Sequence, residues 1–120
     1  MAVGLILIDQ AVKWWVLKHP SFVIKNPGFI FGFGPNWDLF FWITLLLILV
    51  LTIITVKKPA NSYPFALMLA GAVSNLLDRI FYGGVIDYFK VGFLSFNLAD
   101  ILLFAGVIIY GWQAHNENQN

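Results

Sequence analysis

The sequence predicts an all-α membrane protein: four transmembrane helices with a small β-hairpin or sheet at the membrane surface. Three observations carry this. First, 60% of the 120 residues are hydrophobic and only 11% are charged, against about a quarter charged in ordinary soluble domains. Second, four apolar stretches follow one another, approximately 1–17, 39–56, 64–82 and 94–112. Third, a segment between the first two, approximately 21–34, changes to a period of two. The whole of 1–120 reads as a single membrane domain.

In the first stretch Asp9 and Lys13 are four apart, one helical turn, so a local ion pair is as good a reading as a functional role. The stretch is short for a span and lacks the basic leader and small-residue cleavage site of a signal peptide. Next, Phe29, Phe31 and Phe33 alternate with Ile30 and Gly32, which favours a strand. Asn26-Pro27-Gly28 separates this run from the apolar Phe22-Val23-Ile24 and has turn chemistry. Lipid cannot hydrogen-bond a strand edge, so such a hairpin belongs at headgroup level or against the helices.

Leu39 to Val56 is an uncharged run of 18 residues, about 27 Å as a helix and close to the hydrocarbon thickness. The third span has Pro64 near its start and is uncharged through Leu77, with Asp78 and Arg79 near its far end. Those two suit interfacial anchoring. Val91 to Trp112, which holds the fourth span, is interrupted only by Asp100. Trp14, Trp15, Trp37 and Trp42 lie at the ends of apolar stretches, where amphipathic rings favour the interface. Four spans put Lys57 and Lys58 on one side and Lys18, Lys25 and Lys90 on the other, so the count of positive charges does not settle orientation.

Seven Lys/Arg against six Asp/Glu leave a net charge of +1, with no basic field for nucleic acid. The absence of cysteine removes disulfides, a thiol nucleophile and cysteine-rich zinc sites. His19 and His115 show no ligand spacing, and no cofactor is called for.

The acidic residues are the anomaly. An aspartate near a bilayer centre costs about 2.5–3.5 kcal/mol on insertion scales, so each needs a partner, a proton or water. Asp9, Asp78 and Asp100 fall in or at the ends of apolar stretches, and Asp87 in a short link, where it would ordinarily be solvated. Asn75 and Asp78 are three apart, as are Asn97 and Asp100, so each pair shares a helix face. The short link lets Asp87 and Asp100 meet at one end of the bundle. Two close carboxylates share a proton near neutral pH, and such a pair supports amide hydrolysis by general base and general acid, without a metal or covalent intermediate. A small proton- or ion-conducting membrane protein, with Asp9, Asp78 and Asp100 lining a polar path, is the alternative.

Three blocks in order, Gly71-Ala72-Val73-Ser74-Asn75-Leu76-Leu77-Asp78-Arg79, Gly84-Val85-Ile86-Asp87-Tyr88-Phe89 and Phe96-Asn97-Leu98-Ala99-Asp100, resemble signal peptidase II, the bacterial lipoprotein signal peptidase family. Asp9-Gln10-Ala11-Val12-Lys13 and Asn26-Pro27-Gly28 with Phe31 and Gly32 add to the resemblance. It implies a multi-pass aspartic endopeptidase of the bacterial inner (cytoplasmic) membrane, with its small sheet at the outer membrane surface and its active site toward the outer leaflet. Such an enzyme cleaves the signal peptide of prolipoproteins just before a diacylglyceryl-modified cysteine. Its partners are these substrates and membrane lipid, and it is read as a monomer. By resemblance the catalytic dyad falls on Asp87 and Asp100. Asn26, Gly28, Asn75, Asp78, Arg79, Asn97 and Ala99 match substrate-binding or pocket positions, and Asp9 and Lys13 match a pair on the first helix.

The pattern also departs from the family. Only eight residues precede Asp9, which predicts a short first span. The segments 13–26 and 87–97 are shorter than usual, which trims the surface sheet and the lid over the cleft. Ser74 stands where glycine is common and predicts looser helix packing. Phe29 and Ile30 replace small residues and alter the substrate groove. A relative that binds lipoprotein precursors without cutting them is therefore a further alternative.

Overall fold

The computed structural model describes residues 2–19, 21, 24–26, 37–58 and 62–119, with the side chains of 24–26, 37 and 38 left aside. Among the described residues there are four helices, α1 (Ala2–Leu17), α2 (Trp37–Lys57), α3 (Tyr63–Tyr82) and α4 (Leu98–Asn118). The described strands are β1 (Ile24–Asn26), β2 (Val85–Asp87), β3 (Phe89–Val91) and β4 (Leu94–Phe96). The molecule measures 50 × 27 × 26 Å.

Helix α3 is the central element and packs against α4, α2 and α1. Its sequence allows this because small residues line the contact. A Cβ added to Gly71 would fall 2.3 Å from the carbonyl oxygen of Ala99, and one added to Gly106 would fall 2.5 Å from Cγ of Met68. Close backbone approach through small residues is how helices associate where lipid offers no hydrophobic drive between them. Phe65 and Met68 pack with Leu51 of α2, while Leu67 and Ala70 pack with Leu102 of α4. The outward faces keep large apolar side chains exposed, among them Leu46, Leu49 and Val56 on α2 and Phe104, Val107 and Ile108 on α4.

Among the described residues three helices are long and apolar enough to cross a membrane: Leu39–Lys57, Tyr63–Tyr82 and Leu98–Asn118. Helix α1, at 16 residues, is about 24 Å long and falls short of that length.

The expected hairpin at 21–34 has its turn at 26–28 and its alternating run 29–33 largely outside the described residues. Its described part, β1, pairs antiparallel with the distant β2, with Ile24 opposite Asp87 and Asn26 opposite Val85. The start of the fourth span is corrected. Residues 94–96 are strand, and β3 and β4 form a hairpin in the register Phe89 to Phe96. Gly92, at φ 61°, makes the turn, a left-handed conformation that glycine adopts without a steric penalty. Asn97 then starts α4 at Leu98. At the other side of this link, Gly83 at φ 73° ends α3, its N–H returning to the carbonyl of Arg79. These two chain reversals hold the Asp87 link against the ends of α3 and α4.

Candidate active site

Helix α4 begins with a capping box. The side-chain oxygen of Asn97 accepts the backbone N–H of Asp100 at 2.9 Å, and Oδ2 of Asp100 accepts the backbone N–H of Asn97 at 3.1 Å. The reciprocal bonds satisfy two otherwise orphaned donors at the helix start and fix the Asp100 carboxylate at the mouth of α4. The three-residue spacing of this pair thus reflects a cap, not a shared helix face. Asn75, on α3, donates Nδ2–H to Oδ1 of Asp100 at 2.9 Å.

Donor chemistry sets the direction of these amides. Oδ1 of Asn75 accepts from Nζ of Lys13 at 3.3 Å, and an ammonium only donates, so Nδ2 of Asn75 must face the carboxylate. The oxygen of Asn97 is committed to the cap. Its Nδ2 therefore turns to three acceptors, each 3.1 Å away: Oδ1 of Asp87, Oδ1 of Asn75 and the carbonyl of Ile86. The other Asp87 oxygen, Oδ2, accepts from Oγ of Ser95 at 3.0 Å. Asp87, Asn97 and Asp100 are all buried, and the two carboxylates interact electrostatically.

A second set of polar groups braces this one from α1. Lys13 is ion-paired with Asp9 on its own helix and with Asp78 on α3, the latter at 2.7 Å. Gln10 donates to Oδ1 of Asp78 at 2.9 Å, and Oδ2 of Asp78 accepts the backbone N–H of Ile86 at 3.1 Å. Asp78 therefore holds the strand that carries Asp87. Ser74 donates to Oδ2 of Asp9 at 2.6 Å and accepts from Gln10 at 2.9 Å. Among the described buried residues, the four carboxylates of Asp9, Asp78, Asp87 and Asp100 face the two cations Lys13 and Arg79. Buried charge without compensation is costly, and hydrogen bonds from Ser74, Asn75, Ser95 and Asn97 to these carboxylates supply part of that compensation.

The structure brings together Asp87, Asp100, Asn75, Asp78, Asn97, Asp9 and Lys13 in one hydrogen-bonded cluster, with Arg79 buried beside it. Ala99, fully buried, supplies the backbone against which Gly71 packs. Asn26 is placed by its backbone opposite Val85, and Gly28 lies outside the described residues. Two bland readings fail: Asp87 is buried, not solvated, and Asp78 and Arg79 are buried, not interfacial anchors. The local Asp9–Lys13 ion pair is present and is also one arm of an interhelical hub. Ser74 is fully buried and ties α3 to α1 through Asp9.

Sequence reasoning missed Gln10, Ser74, Ser95 and the hydroxyl of Tyr88 as members of the network. Each adjoins or lies near a residue that stood out, but no spacing or composition signal separates them from their neighbours. Tyr88 donates to Oδ1 of Asp9 at 2.7 Å and accepts the N–H of Leu98 at 2.9 Å. Burial, and secondarily the Asp9 carboxylate, push its phenol above the ordinary value.

Two apolar recesses reach the cluster. One, of about 210 Å³, lies between α2, α3 and α4, with Thr44, Leu47, Ala72, Leu103 and Val107 along it and Asn75 and Arg79 at its polar end. The other, of about 320 Å³, runs along the outer face of α4 past Ile101 and Ile108 to Asp100, and Phe104 lines both. An apolar recess closed by a few convergent polar groups is the usual form of a ligand site. Here it suits a ligand with an apolar part.

The chain is similar to known proteins over most of its length. The family model for signal peptidase (SPase) II matches residues 1–115. Lipoprotein signal peptidases are similar over most of the chain. That of Caldanaerobacter subterraneus is 39% identical, covering 81% of this chain and 72% of its own length. That of Bartonella henselae is 35% identical, covering 88% and 82%, and that of Buchnera aphidicola 33%, covering 88% and 85%. A bacterial membrane enzyme solved by the in meso method at 2.3 Å resolution superposes with a TM-score of 0.82 at 26% identity, over 99% of this chain and 88% of that one.

Proposed function

The chain belongs to the signal peptidase II family, and from that premise we propose that Asp87 and Asp100 are the catalytic dyad with which it hydrolyses its substrate. It is a peptidase, and its activity is the removal of signal peptides from prolipoproteins. The observation that carries the dyad assignment is Asn97, whose one side chain bonds both Asp87 and the helix start that holds Asp100.

In this reading one carboxylate takes a proton from water as the water oxygen bonds to the scissile carbonyl carbon. The other, protonated, hydrogen-bonds the carbonyl oxygen and gives it the proton as the tetrahedral diol forms. Collapse of that diol breaks the carbon–nitrogen bond: one diol hydroxyl returns its proton to the carboxylate that had protonated the carbonyl oxygen, and the leaving amine takes a proton from the carboxyl that had accepted it from water. Asn75 and Asn97 keep both carboxylates oriented throughout. Asp9 and Asp78 are engaged with Lys13, Ser74 and Gln10, an arrangement suited to bracing the dyad and not to lining an ion path.

Helix α1 completes a four-span bundle in the bacterial inner membrane, with the strands and the dyad toward the outer leaflet. The substrate carries a diacylglyceryl-modified cysteine, whose acyl chains stay in the apolar recesses while the peptide bond reaches Asp87 and Asp100. The test is a gel-shift assay with purified protein and a diacylated precursor. Asp87→Asn and Asp100→Asn each abolish cleavage while the helical fold persists, and unlipidated precursor is left uncut. Normal processing by either variant overturns the dyad, and equal turnover of unlipidated precursor overturns the lipid requirement.

A further inference from the structure

We propose that the Tyr88 hydroxyl is a positioning group that sets the dyad from α1, fixing the link that carries Asp87 and the start of α4 that carries Asp100 through one oxygen atom. This rests on the dyad reading above. Three constraints meet at Tyr88. Its backbone N–H donates to the carbonyl of Phe96 at 3.1 Å. Its hydroxyl donates to Oδ1 of Asp9 on α1 at 2.7 Å and accepts the backbone N–H of Leu98 at 2.9 Å.

Leu98 is the first residue of α4, and its N–H is one of the four that no helix carbonyl can accept. Asn97 satisfies the N–H of Asp100, and the Tyr88 phenol satisfies that of Leu98. Together they hold the helix start whose third residue is Asp100. On the other side, Asp87 precedes Tyr88 directly, and neighbouring side chains in an extended segment point to opposite faces. With the Tyr88 ring tied to α1, Asp87 is turned toward Asn97 and Ser95, which bond both of its oxygens. Asp9 is itself anchored by Lys13 and Ser74, so the point to which the phenol is tied does not swing. Burial keeps the phenol protonated, and so a donor, throughout the range in which the dyad works.

The experiment measures kcat and KM on a diacylated precursor, with thermal unfolding in the same detergent. Tyr88→Phe keeps the ring and removes the oxygen. The expected result is a fall in kcat of roughly tenfold, because reacting groups misplaced by a fraction of an ångström lose orientation, with KM unchanged. The double variant Tyr88→Phe/Asp9→Asn then loses less than the product of the two single losses, since the two residues share one bond. A residue that merely supports the fold would lower the unfolding midpoint without this split or coupling.

Should Tyr88→Phe not fold, Leu98→Pro serves instead. Proline suits the first helical position, and Asn97 before it is already extended at φ −137°, as a residue preceding proline prefers. The change deletes the N–H that the phenol accepts, and kcat falls with KM unchanged. Wild-type kcat in Tyr88→Phe, or in Leu98→Pro where that variant is used, overturns the proposal, as does full multiplicativity with Asp9→Asn. Cleavage by Asp87→Asn would instead overturn the dyad, so the two failures are distinguishable.

Discussion

The side-chain amide of Asn97 donates to Oδ1 of Asp87 across 3.1 Å, the two residues flanking the β3–β4 hairpin at its open end, where Phe89 pairs with Phe96. The same amide's oxygen is committed to the N–H of Asp100. A single planar group therefore links one carboxylate to the helix start that carries the other.

Replacing Asn97 by Asp isolates that function. Aspartate is as good an N-cap as asparagine, so α4 still starts at the same place, but the donor facing Asp87 becomes an acceptor. We expect kcat to fall by about a hundredfold or more while the circular dichroism spectrum keeps its helical intensity. Initial rates on a lipidated precursor measure this, and a rate within about twofold of the parent would show that Asn97 only caps the helix.

Lys13 separates two buried carboxylates, Asp9 and Asp78, and donates to Asn75. Lys13→Met preserves much of the volume and removes the charge. Leaving buried charges unpaired costs about 3–5 kcal/mol, which equilibrium unfolding in mixed detergent micelles reads directly. Adding Asp78→Asn to Lys13→Met recovers part of the loss, because one of the stranded carboxylates is gone. An unchanged unfolding midpoint in the single variant would mean that the hub contributes nothing to stability.

Gly71→Ala addresses the α3–α4 contact. The added Cβ would meet the Ala99 carbonyl at 2.3 Å and Cγ of Leu103 at 2.9 Å. A leucine side chain can shift, but the backbone carbonyl beside Asp100 gives way only if α4 moves. Overpacking of this kind costs about 1–3 kcal/mol, and here it also lowers kcat. Gly4→Ala is the control, since nothing lies within 4 Å of its added Cβ. Equal stability of the two variants would show that α3 and α4 can separate freely.

Much of this architecture was legible in the residues. The uncharged run 39–56 became the core of α2 because an apolar stretch of that length has few other stable forms in lipid. Pro64, near the start of the third span, lies in the first turn of α3. The stretch 91–96 was not legible as a hairpin. Its apolar residues suit a strand or the first turns of a span equally, and only the positive φ of Gly92 and the cap at Asn97 decide between them. The partner of β1 was hidden for another reason: pairing of Ile24 with Asp87 depends on where α3 returns the chain, not on any local pattern.

The candidate site divides in the same way. Asp100 in an apolar run, and Asn75 and Asp78 three residues apart, marked themselves by their cost in lipid. Ser74, Ser95 and Tyr88 did not, because a hydroxyl is inexpensive anywhere near an interface and its spacing carries no message. Their roles follow from the atoms that lie opposite them.

By itself, the sequence determined which side chains could not be left alone: carboxylates, amides and a lysine among apolar neighbours each require a partner, whatever the fold. Tertiary structure decided who those partners are. Rotation of α1, α3 and α4 about their axes, the turn at Gly92 and the direction imposed on two amides by Lys13 and the α4 cap turned a list of costly residues into one ordered cluster. Hydrogen bonds act over about 3 Å, and no spacing along a chain specifies a distance that short between different helices.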